Sequence, residues 1–259
     1  MEESNNDKGH VISQCQDAVM TIEFYHPAHN SLPAHLLDEL VATLDRASED
    51  PEVNVVVLRS RGDRTFCAGA SFQELIAIEN EEQGQVFFSG FAQVINAMRR
   101  CKKMIIARVQ GKAVGGGVGI IAAADYVMAL DTAAIKLSEL TIGIGPFVIA
   151  PAVLRKIGVA NLSALSIDAH EFKSAQWAES KGLYTKVFET ASHLESELHT
   201  LCSHLTQYNP EAMYALKSVL WDGTAHWDEL LLERAALSGR LVLSPETKVQ
   251  LAKYKQSNS

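Results

Sequence analysis

A chain of 259 residues with 47% hydrophobic side chains is long enough to bury a full core in one domain, or in one domain with an appendage. Its formal net charge of -8 gives no basic field to gather a phosphate backbone, which argues against nucleic-acid binding. No apolar run approaches the roughly 20 residues that span a bilayer, and the acidic, polar residues 1–10 do not resemble a signal peptide, so no membrane association and a cytoplasmic location are expected.

Residues 1–10 are expected to be flexible, with order starting near Val11. Val19–Tyr25 alternates apolar and polar side chains as a half-buried strand does. After Pro33, a residue suited to a first helical turn, Leu36, Leu37, Leu40, Val41 and Leu44 recur at helical spacing. The β-branched run at 53–58 predicts a buried strand, and Arg61-Gly62-Asp63 a turn. A helix is predicted over 83–100 and a strand over Met104–Val109. A short helix then starts in the glycine cluster and runs to Ala124, with strands at 126–130 and 134–137 and a helix from Pro151. This alternation predicts an α/β sheet layered with helices. Ser174 is placed to cap a helix ending at Gly182, a brief strand covers 184–188, and amphipathic helices run on to Lys255. The division is therefore a core over 11–190 and a helical region over 191–259. Apolar Leu230, Leu231, Leu241, Val242 and Leu243 in that region either pack on the sheet domain or are covered by self-association. Cys15, Cys67, Cys101 and Cys202 lack C-x-x-C spacing, which suggests neither a disulfide scaffold nor a zinc site.

Two glycine-bearing segments suggest chemistry. Phe66-Cys67-Ala68-Gly69-Ala70-Ser71 follows a strand, and its small residues would let backbone approach a ligand. Ala113-Val114-Gly115-Gly116-Gly117-Val118-Gly119 precedes a helix, where unpaired N–H groups and the positive end of the helix dipole favour an oxyanion. Either segment alone reads first as a tight turn.

Together they resemble the crotonase superfamily, the enoyl-CoA hydratase/isomerase family, over nearly the whole chain. The resemblance rests on Val19–Tyr25 followed by His26-Pro27 and Asn30, on the segment 66–71, and on Gly115 to Gly117 with Asp125 behind them. It continues through Ser138-Glu139-Leu140 leading to Gly143 and Pro146, and through Ser174-Ala175-Gln176 leading to Gly182-Leu183. It implies a spiral of ββα units with a helical C-terminal trimerisation region, assembled as a homotrimer or dimer of trimers. It implies an acyl-CoA substrate whose thioester oxygen is held by the backbone N–H groups of Ala70 and Gly116. Glu139 matches the carboxylate that exchanges a proton beside the carbonyl. Cys67, Ala68, Gly69, Ser71, Gly115, Gly117, Gly119 and Phe147 are the expected substrate-binding positions. Coenzyme A enters as part of the substrate, and no metal or redox cofactor is implied.

The chain departs from the family pattern at three places. Gly119 stands where the water-activating glutamate belongs, Phe147 where hydratases carry a glycine, and Ser71 where aspartate is frequent. Addition of water is most simply explained with two carboxylates, whereas moving a double bond needs one. The sequence thus favours isomerase-like proton transfer over standard hydration. The same oxyanion hole would also serve a branched enoyl-CoA hydratase, a decarboxylase or a hydrolase, and a non-catalytic acyl-CoA-binding protein would keep the fold without turnover. Glu74, Glu79, Glu81 and Glu82 read as a solvated charged face, His26 and His29 as loop residues, and Lys253 and Lys255 as surface residues, although these histidines and lysines lie where the family meets coenzyme phosphates. A G-x-G-x-x-A match at 117–122 ranks low as a dinucleotide site, because 110–114 separate it from the preceding strand.

Overall fold

The computed structural model describes residues 8–257; residues 1–7, most of the segment expected to be flexible, lie outside them. A strand missing from the sequence reading opens the fold. β1 (His10–Gln16) pairs antiparallel with β2 (Val19–Tyr25), with His10 opposite Tyr25 and Gln16 opposite Val19. Asp17 and Ala18 join them with φ of 49° and 61°, the double left-handed geometry of a two-residue hairpin turn.

From β2 onward the large sheet is parallel, in the order β1-β2-β3-β5-β7-β9, with β3 (Val55–Ser60), β5 (Met104–Val109), β7 (Tyr126–Leu130) and β9 (Lys186–Phe188). Both faces of this sheet are covered, which is why its strands read as continuous apolar runs. Val56, Leu58, Ile105, Ala107, Val127 and Ala129 enter the main core. Alternate residues Val55, Val57, Ile106 and Met128 pack with Leu194, Leu198 and Cys202 of α7 (Ala191–Leu205) on the other side.

A second, three-stranded parallel sheet holds β4 (Thr65–Cys67), β6 (Lys112–Val114) and β8 (Ile135–Lys136). Three strands of the first sheet, β3, β5 and β7, are each followed by a short strand of the second, then by helix. β3 and β4 lead through the short α2 (Phe72–Ile76) to α3 (Glu81–Arg100), β5 and β6 to α4 (Gly116–Ala123), and β7 and β8 to α5 (Ala150–Ile167). This is the expected spiral of ββα units. β6 also corrects the reason given against a dinucleotide site: a strand does directly precede the glycines, and it belongs to the small sheet.

The helix read after Pro33 is α1 (Ala34–Glu49), with Leu36, Leu37, Leu40 and Leu44 buried. Beyond α6 (Ala175–Ser180), capped by Ser174 as read, the tail consists of α7, α8 (Pro210–Leu220), α9 (Trp227–Leu241) and α10 (Pro245–Ser257). These helices are not a lobe apart. α9 lies so close to α3 that a Cβ on Gly84 would stand 2.6 Å from Gly239 Cα. Leu231 is fully buried and Leu230 packs against the main core. Val242, with Leu241 and Leu243 against it, joins Leu75, Ile144 and Leu251 in a smaller cluster. α8 is tied to the sheet by a buried ion pair: Lys217 Nζ lies 2.8 Å from Asp125 Oδ2. The other carboxylate oxygen accepts from Trp221 Nε1, and Oδ2 also accepts from the Ile105 N–H. So complete a set of partners is what makes such a desolvated pair tolerable. Among the described residues, no helix is long and apolar enough to cross a membrane.

Candidate active site

The small sheet assembles the site. Cys67 pairs with Ala113, and Val114 with Lys136, so the three parallel strands end side by side. Their carboxyl ends are followed within three residues by Ala70, Gly116 and Glu139, all of which line one open cavity of about 1500 Å³. Gly115 N–H donates to Lys136 O at 2.9 Å, fixing the glycine turn to the strand that leads to Glu139.

At Gly115 the glycine turn meets the Glu139 carboxylate. The φ of Gly115 is +53°, and a Cβ there would lie 3.0 Å from Glu139 Oε1, so both backbone strain and the carboxylate demand glycine. A Cβ on Gly69, itself at φ +90°, would lie 3.7 Å from the Gly116 nitrogen, which puts the two loops in contact. Among the described residues, neither the Ala70 nor the Gly116 N–H meets an acceptor. Gly116 is the first residue of α4, where backbone N–H groups have no intrahelical partner. A Cβ on it would fall 2.2 Å from Phe91 Cε1.

Glu139 opens a 3-10 turn (Glu139–Ile142). The residue is half-buried, but its Oε2 is sealed from solvent and has no hydrogen-bond partner. That desolvation pushes the carboxyl up from 4.5 to about 7, against a smaller opposing pull from its own backbone N–H. Among the described residues lining the cavity, the other carboxylate is Glu74. Glu74 is half-buried, and both its oxygens accept from the Ala34 N–H, at 3.3 and 3.0 Å, at the start of α1, a bond at the exposed side of the site. Pro33 caps that helix without a side-chain bond, so Glu74 takes over the capping. Glu79, Glu81 and Glu82 are exposed, as read.

Ser71 Oγ accepts from the Glu74 N–H at 3.3 Å as the N-cap of α2. Serine and aspartate cap equally well, which accounts for that departure. Ala68, Gly69, Ser71, Gly115 and Phe147 all line the cavity. Cys67, Gly117 and Gly119 are buried behind it instead. Burial holds the Cys67 thiol protonated, with its pKa pushed up to about 12, and a Cβ on Gly117 would meet Cys67 Cβ at 2.7 Å. At Gly119 it would meet Ile149 Cγ2 at 2.4 Å and Ile95 Cδ1 at 3.5 Å. The place of the missing glutamate is therefore filled with aliphatic side chains. Packing this close also leaves no room for a pyrophosphate at 117–122.

Much of the rest of the wall is apolar, including Phe72, Leu75, Phe87, Phe88, Phe91, Ile142, Ile144 and Ile149, with Lys8, His26, His35, Lys136, His170 and Lys253 adding cationic or protonatable groups. Lys136 and Lys112 stand over the Phe172 ring, 4.6 and 5.1 Å from its centroid. His26 is kept below the ordinary imidazole range by burial and by His35, while His29 is exposed and outside the lining. Asn30 clasps the loop: its Nδ2 donates to Arg61 O and Thr65 O, and its Oδ1 accepts from the His26 N–H. Sequence reasoning missed Phe91, Ile149 and, on α10, Gln250 and Tyr254, which line the cavity beside Lys253, a residue the sequence placed near the coenzyme phosphates but read as surface. Only the aromatic spacing of α3 hinted at the first of these.

Residues 14–237 match the family model described as Enoyl-CoA hydratase/isomerase. A 2,3-dehydroadipyl-CoA hydratase from Escherichia coli is 30% identical over 217 residues, 81% of each chain. A peroxisomal Delta(3,5)-Delta(2,4)-dienoyl-CoA isomerase from Arabidopsis thaliana is 27% identical over 210 residues, 75% of this chain and 74% of that one. The crystal structure of an enoyl-CoA hydratase from Bacillus halodurans superposes with a TM-score of 0.88 at 19% identity, over 94% of this chain and 99% of that one, a likeness of fold. With its ββα spiral and a family match over most of its length, this chain is an enzyme of the enoyl-CoA hydratase/isomerase family, in the crotonase superfamily.

Proposed function

We propose that the protein binds an acyl-CoA thioester, holds its carbonyl oxygen on the N–H groups of Ala70 and Gly116, and shuttles one proton between carbons with Glu139. Two donors on the oxygen stabilise the enolate that forms when the α-proton leaves. Ionised Glu139 takes that proton. The electron pair of the C–H bond flows into the thioester, and for a β,γ-enoyl substrate the protonated Glu139, which exchanges its proton with solvent during turnover, delivers a proton to the γ-carbon, leaving the double bond in conjugation. A carboxyl pushed up to about 7 serves as base and acid with equal ease near neutrality. The cationic groups at the cavity suit the coenzyme's phosphates, and the aromatic wall suits an apolar acyl chain.

One observation carries the preference for isomerisation over hydration: the cavity offers Glu139 with its Oε2 unpartnered, while Glu74 is engaged in capping α1 and Ile149 fills the space beside Gly119. Phe147, folded over Gly145 with its Cζ 2.5 Å from where a Cβ there would stand, narrows the room for water. The test is to incubate the protein with but-3-enoyl-CoA and with crotonyl-CoA in deuterated water and follow label and hydroxyl by mass spectrometry. The reading expects deuterium on the chain and a shifted double bond, with hydroxylated product forming far more slowly. Hydration outpacing exchange would return the protein to the hydratases, and saturable binding without any turnover would make it a binding protein. The reading extends to a homotrimer or dimer of trimers, which would cover the exposed Leu216, Val219 and Leu220 of α8 and Val159 and Ile167 of α5; light scattering on the eluted protein tests it.

A further inference from the structure

The turn that carries Glu139 is held from outside the family-matched span. Thr247, on α10, is fully buried, ten residues past the last matched position. Its hydroxyl donates to Gly143 O at 3.0 Å and accepts from Ser244 Oγ at 3.0 Å. The contact is intimate: a Cβ on Gly143 would lie 2.4 Å from Thr247 Oγ1 and 2.9 Å from Thr247 Cα. Gly143 has φ +87° and closes the 3-10 turn, so the same residue that reverses the chain receives the threonine.

The peptide group that accepts this bond also reaches Glu139. The carbonyl of Gly143 and the N–H of Ile144 belong to one planar unit, and the Ile144 N–H donates to Glu139 O at 3.1 Å. A hydrogen bond at one end of a peptide polarises and orients the donor at the other. We propose that Thr247 is a positioning residue for proton transfer: through the Gly143–Ile144 peptide it fixes the backbone from which the Glu139 carboxylate is aimed beside Gly115. The proposal rests on Glu139 being the acid/base. It gives α10 a part in the chemistry that is separate from the cavity lining supplied by Gln250 and Tyr254. A carboxylate with nothing bonded to Oε2, and its own backbone N–H as the hydrogen bond that acts on it, depends on that backbone for aim.

The test compares Thr247→Val, which keeps the shape and removes the hydroxyl, with Thr247→Ser, which keeps the hydroxyl. The readout is deuterium exchange at the α-carbon of butanoyl-CoA, taken as separate kcat and KM values, with a melting curve for each variant. The valine variant is expected to lose at least ten-fold in kcat with KM within about three-fold of wild type, and the serine variant to recover most of that loss. Should the valine variant not fold, Thr247→Ala repeats the comparison against serine. Equal kcat in the variants with and without the hydroxyl, or a loss confined to KM, overturns the proposal. Glu139→Gln, run alongside, separates the two claims. If it keeps full exchange, the acid/base reading fails; if it abolishes exchange while Thr247→Val matches wild type, the positioning claim alone fails.

Discussion

Replacing Glu139 by glutamine should make the folded protein more stable at neutral and alkaline pH while removing its activity. Burial raises the carboxyl from 4.5 in the open chain to about 7 in the fold, so the fold favours the protonated form. Below pH 4.5 both states hold the proton and no penalty arises. Between 4.5 and 7 the unfolded chain has released it and the folded chain has not, so stability falls with rising pH by about 1.4 kcal/mol per unit. Above 7 the loss levels off at ~3 kcal/mol. Glutamine keeps the shape and the buried oxygen but has no proton to lose. The variant is therefore expected to exceed wild type by ~3 kcal/mol at pH 8, which for a chain of this size is about 6–12 °C in melting temperature, and by under ~1 kcal/mol at pH 5. Urea unfolding midpoints of both proteins at a series of pH values measure the gap. Parallel curves for the two proteins across pH 5 to 8, or a less stable glutamine variant at pH 8, would refute the assignment of a desolvated carboxylate with one oxygen unpartnered. In the same series, α-proton exchange by wild type should rise as pH passes through about 7, because the ionised form is the base.

Gly116→Ala drives a methyl into the Phe91 ring and should cost ~1–3 kcal/mol in folding and on the order of 100-fold in exchange. Adding Phe91→Leu should restore more of the stability than of the rate, read by melting and turnover on the double variant. Gly119→Glu should not create a hydratase: Ile149 occupies the space its Cβ would take, so the variant is expected to melt well below wild type without gaining hydration of crotonyl-CoA. Lys217→Met leaves Asp125 charged and buried and should cost ~3–5 kcal/mol, seen as an earlier urea midpoint, whereas Lys102→Met at the exposed pair with Glu49 should leave the midpoint near its wild-type place. Ala18→Gly relieves a left-handed alanine at φ 61° and should raise stability by about 0.5–1 kcal/mol.

What the sequence disclosed and what it withheld divide along a physical line. The parallel strands of the large sheet were legible because residues on both their faces are buried, as at Val55 to Leu58, and composition alone then marks them. α1 was legible because its leucines recur at helical spacing on the face turned to the core. β8 was read within 134–137, but β4 and β6 were not, since three residues are too few to show a period. β1 was missed because most of its side chains are exposed and no buried face writes an alternation into them. The site divides in the same way. Gly115 and Gly116 could be read locally, as glycines at the start of a helix, and Glu139 could be matched through its neighbours in the chain. The atoms that give those residues their properties come from far along the sequence: Phe91 beneath Gly116, Ile149 in the slot beside Gly119, and Thr247 on the turn of Glu139. None of the three carries a motif, because an aromatic, an aliphatic and a hydroxyl residue are each ordinary in a helix or its approach. A missing glutamate at 119 can be read as one lost side chain that substitution could restore. The packing of Ile149 and Ile95 makes it instead a property of the whole wall, so the number of carboxylates in this cavity is set by residues that no alignment of the glycine segment alone would bring into view.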